Sequence, residues 1–553
     1  MLIRFFAALV LSLPQSTAPA VQGDDAAWLV PADATVVVRL ESAQAWNELV
    51  RAFAPLAGEA AAQHDLQAVL DALASPPSLG GEAATPRLDP ARPLYLAVTL
   101  DPSAGQFVTL VAPVTNGQQF RFQPMLGPTA NLVRGGYTAV SNRPGYAANA
   151  APNALLAELR AGVLSAHVDL ATLIAVYRPL IDMGLAQLEA TVDRAPVDDE
   201  MSFDVQPLME VYLGAARALV NGADSLDLAL ERRGDELGLR FDYREREERA
   251  GGAAIADVTP LLGYVDPASS IQMALTGKVT DYLDLFAGLT EPVIAIYPEP
   301  LRTDVRRLLE LQDELDPLLL PGLVVGFDLG APGMRGSYVL RSPRPLELRS
   351  KIEELLRGLD HEGGLLRVGT AEDLSVGGVE ARVLPLEIQP EAMLDALTAM
   401  SAPPGAPGDT PDDTEQELRA AMEALYGRDL RLGIAPMGEL VALVLAGDDA
   451  EMRAELARLE APAAASPELA GLLANVESGA LGLAYQLDFG RWMGQMLGAL
   501  QGVLPGPGVA LPEREASIGF WGSAGGRTWS GGMVMNLAEL TGFVRAVQGL
   551  ESR

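Results

Sequence analysis

Cysteine is missing from this chain altogether, lysine occurs only at Lys278 and Lys351, and histidine only at His64, His167 and His361. The absent thiol excludes disulfide staples, thiolate nucleophiles and cysteine-bound zinc. With three histidines and no His-Glu-x-x-His, a zinc site or a Ser-His-Asp triad has almost nothing to draw on. A Gly-x-Ser-x-Gly elbow is also lacking. Its nearest likeness, Gly522-Ser523-Ala524-Gly525, has Trp521 in place of the first glycine and reads as a hairpin turn. There is no Walker loop, and Gly506-Pro507-Gly508 lacks the later glycine of a dinucleotide turn. The acidic runs Asp198-Asp199-Glu200 and Asp412-Asp413 lack the alternating acids, central glycine and closing glutamate of a calcium loop. The sequence therefore assigns no catalytic, cofactor-binding or metal-ligating residue and implies no cofactor.

Positive charge is scarce as well: 40 basic residues face 73 acidic ones, for a net charge of −33. Such a surface repels phosphates and anionic headgroups, which excludes nucleic acid as a partner. No run of about 18 uninterrupted apolar residues occurs, so no integral span is expected after the N-terminal segment. That segment, residues 1–23, reads as a signal peptide. Arg4 is its only charge, Phe5–Leu13 is a short apolar run, and Ala18-Pro19-Ala20 is a small-residue exit. Cleavage after Ala20 or after Gly23 places the remainder in the periplasm or outside the cell, unless the segment is kept as an anchor.

What is present is repetition. Four times a short strand runs into an amphipathic helix and then, directly or after added material, a β-hairpin. The helices carry apolar residues at i, i+3, i+4 and i+7: Trp46/Leu49/Val50/Phe53, Leu170/Leu173/Ile174/Tyr177, Tyr282/Leu285/Phe286/Leu289 and Phe489/Trp492/Met493/Met496. The strands are expected at 35–40, 163–168, 271–275 and 480–487, and Ser42, Asp169 and Asp488 are placed to cap three of the helices. Between the third and fourth units lie a helix at 346–359, a hairpin around Gly377-Gly378, an acidic linker at 402–414 and a strand pair turning at Pro436-Met437-Gly438. The irregular spacing excludes a solenoid. The expected fold is α+β: two related lobes, 24–250 and 251–553, each a mostly antiparallel sheet with amphipathic helices packed on one face.

The entry turn Leu29-Val30-Pro31-Ala32-Asp33, the repeated strand–helix–hairpin and the export signal together resemble a family of uncharacterised secreted bacterial proteins, known as a domain of unknown function. The resemblance implies no activity, cofactor or catalytic residue.

Apolar surface is the remaining candidate for function. Phe489, Trp492, Met493, Met496 and Leu497 form one stripe of the fourth helix, which either packs as core or lines a groove for a hydrophobic small molecule. Trp521 and Trp529 read as a cross-strand pair that could stabilise a sheet or face a sugar. The leading expectation is an exported, non-enzymatic binding or envelope-organising scaffold whose partner is an envelope or extracellular protein. The alternatives are a periplasmic carrier for a hydrophobic ligand and a carboxylate-dependent hydrolase, which needs two acids facing each other.

Overall fold

Alternation of apolar and polar residues along the strands makes sheet formation the main event of this fold. Val36, Val38 and Leu40 point to one side of their strand while Val37 points to the other, so each side needs its own cover. The computed structural model describes residues 25–57, 66, 88–114, 130–192, 206–248, 254–285, 294, 302–304, 306–307, 314–329, 333–361, 364, 366–389, 416, 420–421, 424–425, 430–500 and 515–551. The signal segment, His64, both acidic runs and the acidic linker lie outside them. Among the described residues no helix is long and apolar enough to cross a membrane.

The first half runs β1 (Val36–Leu40), α1 (Ala43–Ala57), β2 (Leu94–Asp101), β3 (Gly105–Pro113), β4 (Ala130–Arg134), β5 (Tyr137–Ser141), β6 (Leu164–Asp169), α2 (Leu170–Val192), α3 (Gln206–Gly222), β7 (Ala223–Arg233) and β8 (Glu236–Glu245). Next come β9 (Ile271–Leu275), α4 (Val279–Leu285), β10 (Leu320–Asp328), β11 (Arg335–Arg341), α5 (Pro345–Gly358), β12 (Leu366–Val368), β13 (Glu372–Val376) and β14 (Val379–Ile388). The chain continues with β15 (Arg431–Met437), β16 (Leu440–Ala446), α6 (Asp449–Glu460), α7 (Pro467–Leu473), β17 (Leu481–Asp488), α8 (Phe489–Leu500), β18 (Ser517–Gly525), β19 (Thr528–Asn536) and α9 (Leu537–Glu551). The fold is mixed α+β, and every pairing between the strands described below is antiparallel.

The chain packs as two compact units. The first comprises Met1–Met183, Val220–Glu248 and Arg527–Arg545. Its sheet has the order β19–β8–β7–β6–β1–β2–β3–β5–β4. One side is covered by Trp46 and Leu49 of α1 and by Leu537 of α9, packed on Val38, Leu164, Leu230 and Leu237. The other side buries Val37, Tyr95 and Ala97 beneath Ala26, Leu29, Val30 and Tyr146.

The second unit comprises Gly184–Leu219, Arg249–Gly526 and Ala546–Arg553. Its strands run β18–β17–β9–β10–β11–β16–β15–β14, with β12 and β13 both paired to β14. Leu348 and Ile352 of α5 pack on Leu384, Ile434 and Val441, while Met452 and Leu456 of α6 are fully buried.

The central strands of each unit share one register. In the first, Val36 pairs with Val98 on one side and Val168 on the other. In the second, Ile271 pairs with Phe327 and Leu487. The residue after the last pair is an aspartate in both cases, and its N–H donates to a hydroxyl residue's carbonyl: Asp169 to Thr35 and Asp488 to Ser270, each at 2.8 Å.

Candidate functional site

The stripe of α8 begins where β17 stops. The Asp488 carboxylate accepts from the N–H of Arg491 at 3.0 Å and from that of Ala516 at 3.3 Å, so one side chain ends the strand, caps the helix and fixes the start of β18. Gly490, Gly494 and Gly498 recur every fourth residue, and at Gly494 and Gly498 a side chain would meet open space. Gly490 is buried, Gly494 half-buried and Gly498 exposed, so the glycine row opens only toward the end of the helix. Phe489, Trp492, Met493, Met496 and Leu497 are all half-buried, and none is fully enclosed. The rings of Phe489 and Trp492 are tilted at 36° with centroids 6.1 Å apart. On the sheet of the same unit Phe520 is exposed beside Tyr485, their ring centroids 6.1 Å apart. Burial pushes the Tyr485 phenol above its ordinary value.

The polar flank of α8 is tied down by a residue that the sequence did not single out. Asp328, the last residue of β10, is buried, with its side chain 5% exposed. It accepts from the N–H of Ser270 at 2.8 Å and from Nε2 of Gln495 at 3.0 Å. Arg335 and Arg491 each bring a guanidinium nitrogen to 3.6 Å. Arg491 and Gln495 are four residues apart, so they share one helix row beside Trp492. No motif marks Asp328. The signal was an acid closing an otherwise apolar strand, which a sequence reading assigns to a turn.

Among the described residues, both histidines have a structural partner. His167 on β6 meets Asp227 on β7, Nδ1 to Oδ1 at 2.8 Å, where the two are paired in register. His361 places Nε2 at 2.6 Å from Oδ1 of the buried Asp304. Asp227 and Asp242 are also directly opposite across β7 and β8. This is the facing carboxylate pair that hydrolysis would need, but Asp242 is buried and ion-paired to Arg160 at 2.6 Å. Trp521 is buried opposite Ala484 in the second unit, whereas Trp529 lies opposite Tyr243 in the first. Among the described residues no three acids or histidines are grouped to hold a metal ion.

Comparison with known proteins finds no matching family model, no matching curated protein and no matching solved structure.

Proposed function

We propose that the chain is an exported, non-enzymatic binding or envelope-organising scaffold, built from two related lobes, whose working surface includes the apolar stripe of α8. The observation that carries this reading is the half-burial of Phe489, Trp492, Met493, Met496 and Leu497, an aromatic and methionine-rich row not sealed into the core. Half-burial of such a row suits a surface that exchanges one apolar contact for another. The relation between the lobes is supported by the shared register around β1 and β9 and by the two aspartate caps. Use of His167 and His361 in hydrogen bonds with Asp227 and Asp304, and of Asp242 in an ion pair with Arg160, supports a binding role over a catalytic one.

The same half-burial favours one second reading, a carrier for a hydrophobic ligand. Replacing Trp492 by Ala in the chain from residue 24 onward separates the two. A fully buried tryptophan costs about 3–5 kcal/mol on truncation, so a half-buried one should cost about 1–3 kcal/mol. The scaffold reading expects that loss with no uptake of N-phenyl-1-naphthylamine by either protein. A Trp492→Ala variant that keeps its stability but loses dye fluorescence seen in the parent would transfer the assignment to the carrier.

A further inference from the structure

We infer that Asp328 is a latch that seats α8, so that the helix is a hinged cover held by one buried carboxylate and not by core packing alone. Four groups from three places converge on it: the Ser270 N–H ahead of β9, Gln495 and Arg491 from α8, and Arg335 from β11. A buried carboxylate with such donors is a strong and directional tie. The stripe that α8 carries is only half-buried, and Gly494 and Gly498 face open space, so packing on its own gives this part of the helix a weaker hold.

The first unit contains a natural control. The shared register puts Thr99, which follows Val98, where Asp328 follows Phe327. Counting on from the two capping aspartates, Thr172 takes the place of Arg491 and Val176 that of Gln495. A valine side chain cannot donate to anything, so this latch does not exist there. At the matched stripe positions of α2, Leu170 and Leu173 are half-buried, Ile174 is buried and Tyr177 is exposed. The same strand-to-helix joint thus recurs without the latch residues, so the latch belongs to α8 and is no requirement of the joint. Releasing Asp328 would uncover Trp492 and Met496, which makes the latch a regulator of the apolar surface. This last step rests on the binding reading above; the latch itself does not.

The test is hydrogen exchange of α8 in the full chain from residue 24, comparing the parent with Asp328→Ala and with the milder Gln495→Ala/Arg491→Ala pair. The expected result is exchange of the α8 amides at least tenfold faster in both variants, with the α6 amides unchanged. The milder pair leaves the buried carboxylate in place and keeps the question answerable if Asp328→Ala does not fold. Unchanged α8 exchange, or acceleration spread equally over α6, overturns the latch. N-phenyl-1-naphthylamine is added to each protein. Faster α8 exchange with a rise in dye fluorescence supports both the latch and its role. Faster exchange with no dye signal keeps the latch and removes the apolar binding surface.

Discussion

At the scale of single residues, the scarcity of positive charge gives each lysine a visible job. Lys278 holds Asp316 with Nζ at 3.2 Å from Oδ2, and the Thr280 hydroxyl donates to Oδ1 of the same carboxylate at 2.6 Å. The Thr280 hydrogen bond, with help from Lys278, holds the Asp316 carboxyl below its ordinary value of 3.8. A carboxylate whose folded value is depressed adds stability above the ordinary value and loses it as pH falls through the folded one. Asp316→Asn should therefore be less stable than the parent between pH 5 and 7, and the two should converge below pH 3.8. The difference should be at most about 1 kcal/mol, because the carboxylate is 43% exposed and solvent screens it. Urea midpoints at pH 3 and pH 6 check this. A gap of equal size at both would remove the ionic contribution.

At the scale of elements, the joint between strand and helix recurs with the same chemistry. In α2 the Asp169 carboxylate accepts from the Thr172 N–H at 2.8 Å and from its hydroxyl at 2.7 Å. Asp169→Ala should cost about 1 kcal/mol, seen as a lower urea midpoint with an unchanged slope, and Asp169→Ser should recover most of it. A cap is read from one residue and its position ahead of an apolar row, which is why Ser42, Asp169 and Asp488 were legible before any coordinates. Turns were legible for a similar local reason: Gly377 and Gly438 sit at positive φ in the hairpins expected around them. Other elements were not legible. The β4–β5 hairpin has only a short Arg134-Gly135-Gly136-Tyr137 turn and brief strands, and α9, although it carries the repeated spacing at Leu540, Phe543, Val544 and Val547, follows a hairpin instead of preceding one. The candidate site was half legible. Periodicity finds the α8 stripe because it is local, while Asp328 lies 167 residues from its partner Gln495, and no sequence window spans that distance.

At the scale of the molecule, chain order and packing order part company at the C-terminal end. Residues Arg527–Arg545 belong with the first unit although more than half of the second precedes them, and Gly184–Leu219 belongs with the second. The reason is sheet pairing: β19 lies against β8 from Thr528–Arg244 to Asn536–Glu236, and Leu537 at the start of α9 is buried against Leu237 and Leu230. A division at residue 250, as the expected lobes 24–250 and 251–553 have it, would strip β8 of β19 and expose a ten-residue edge. Such an edge is a template for aggregation. A fragment of residues 24–250 should accordingly aggregate or melt well below the full chain. Fusing residues 527–551 to its end through a flexible linker should restore a soluble, cooperatively melting protein, because it returns both the β19 ladder and the Leu537 contact. Light scattering and thermal melts of the two fragments decide the matter. A soluble 24–250 fragment whose melting temperature is not raised by the added segment would show that β19 contributes nothing to the first unit's stability.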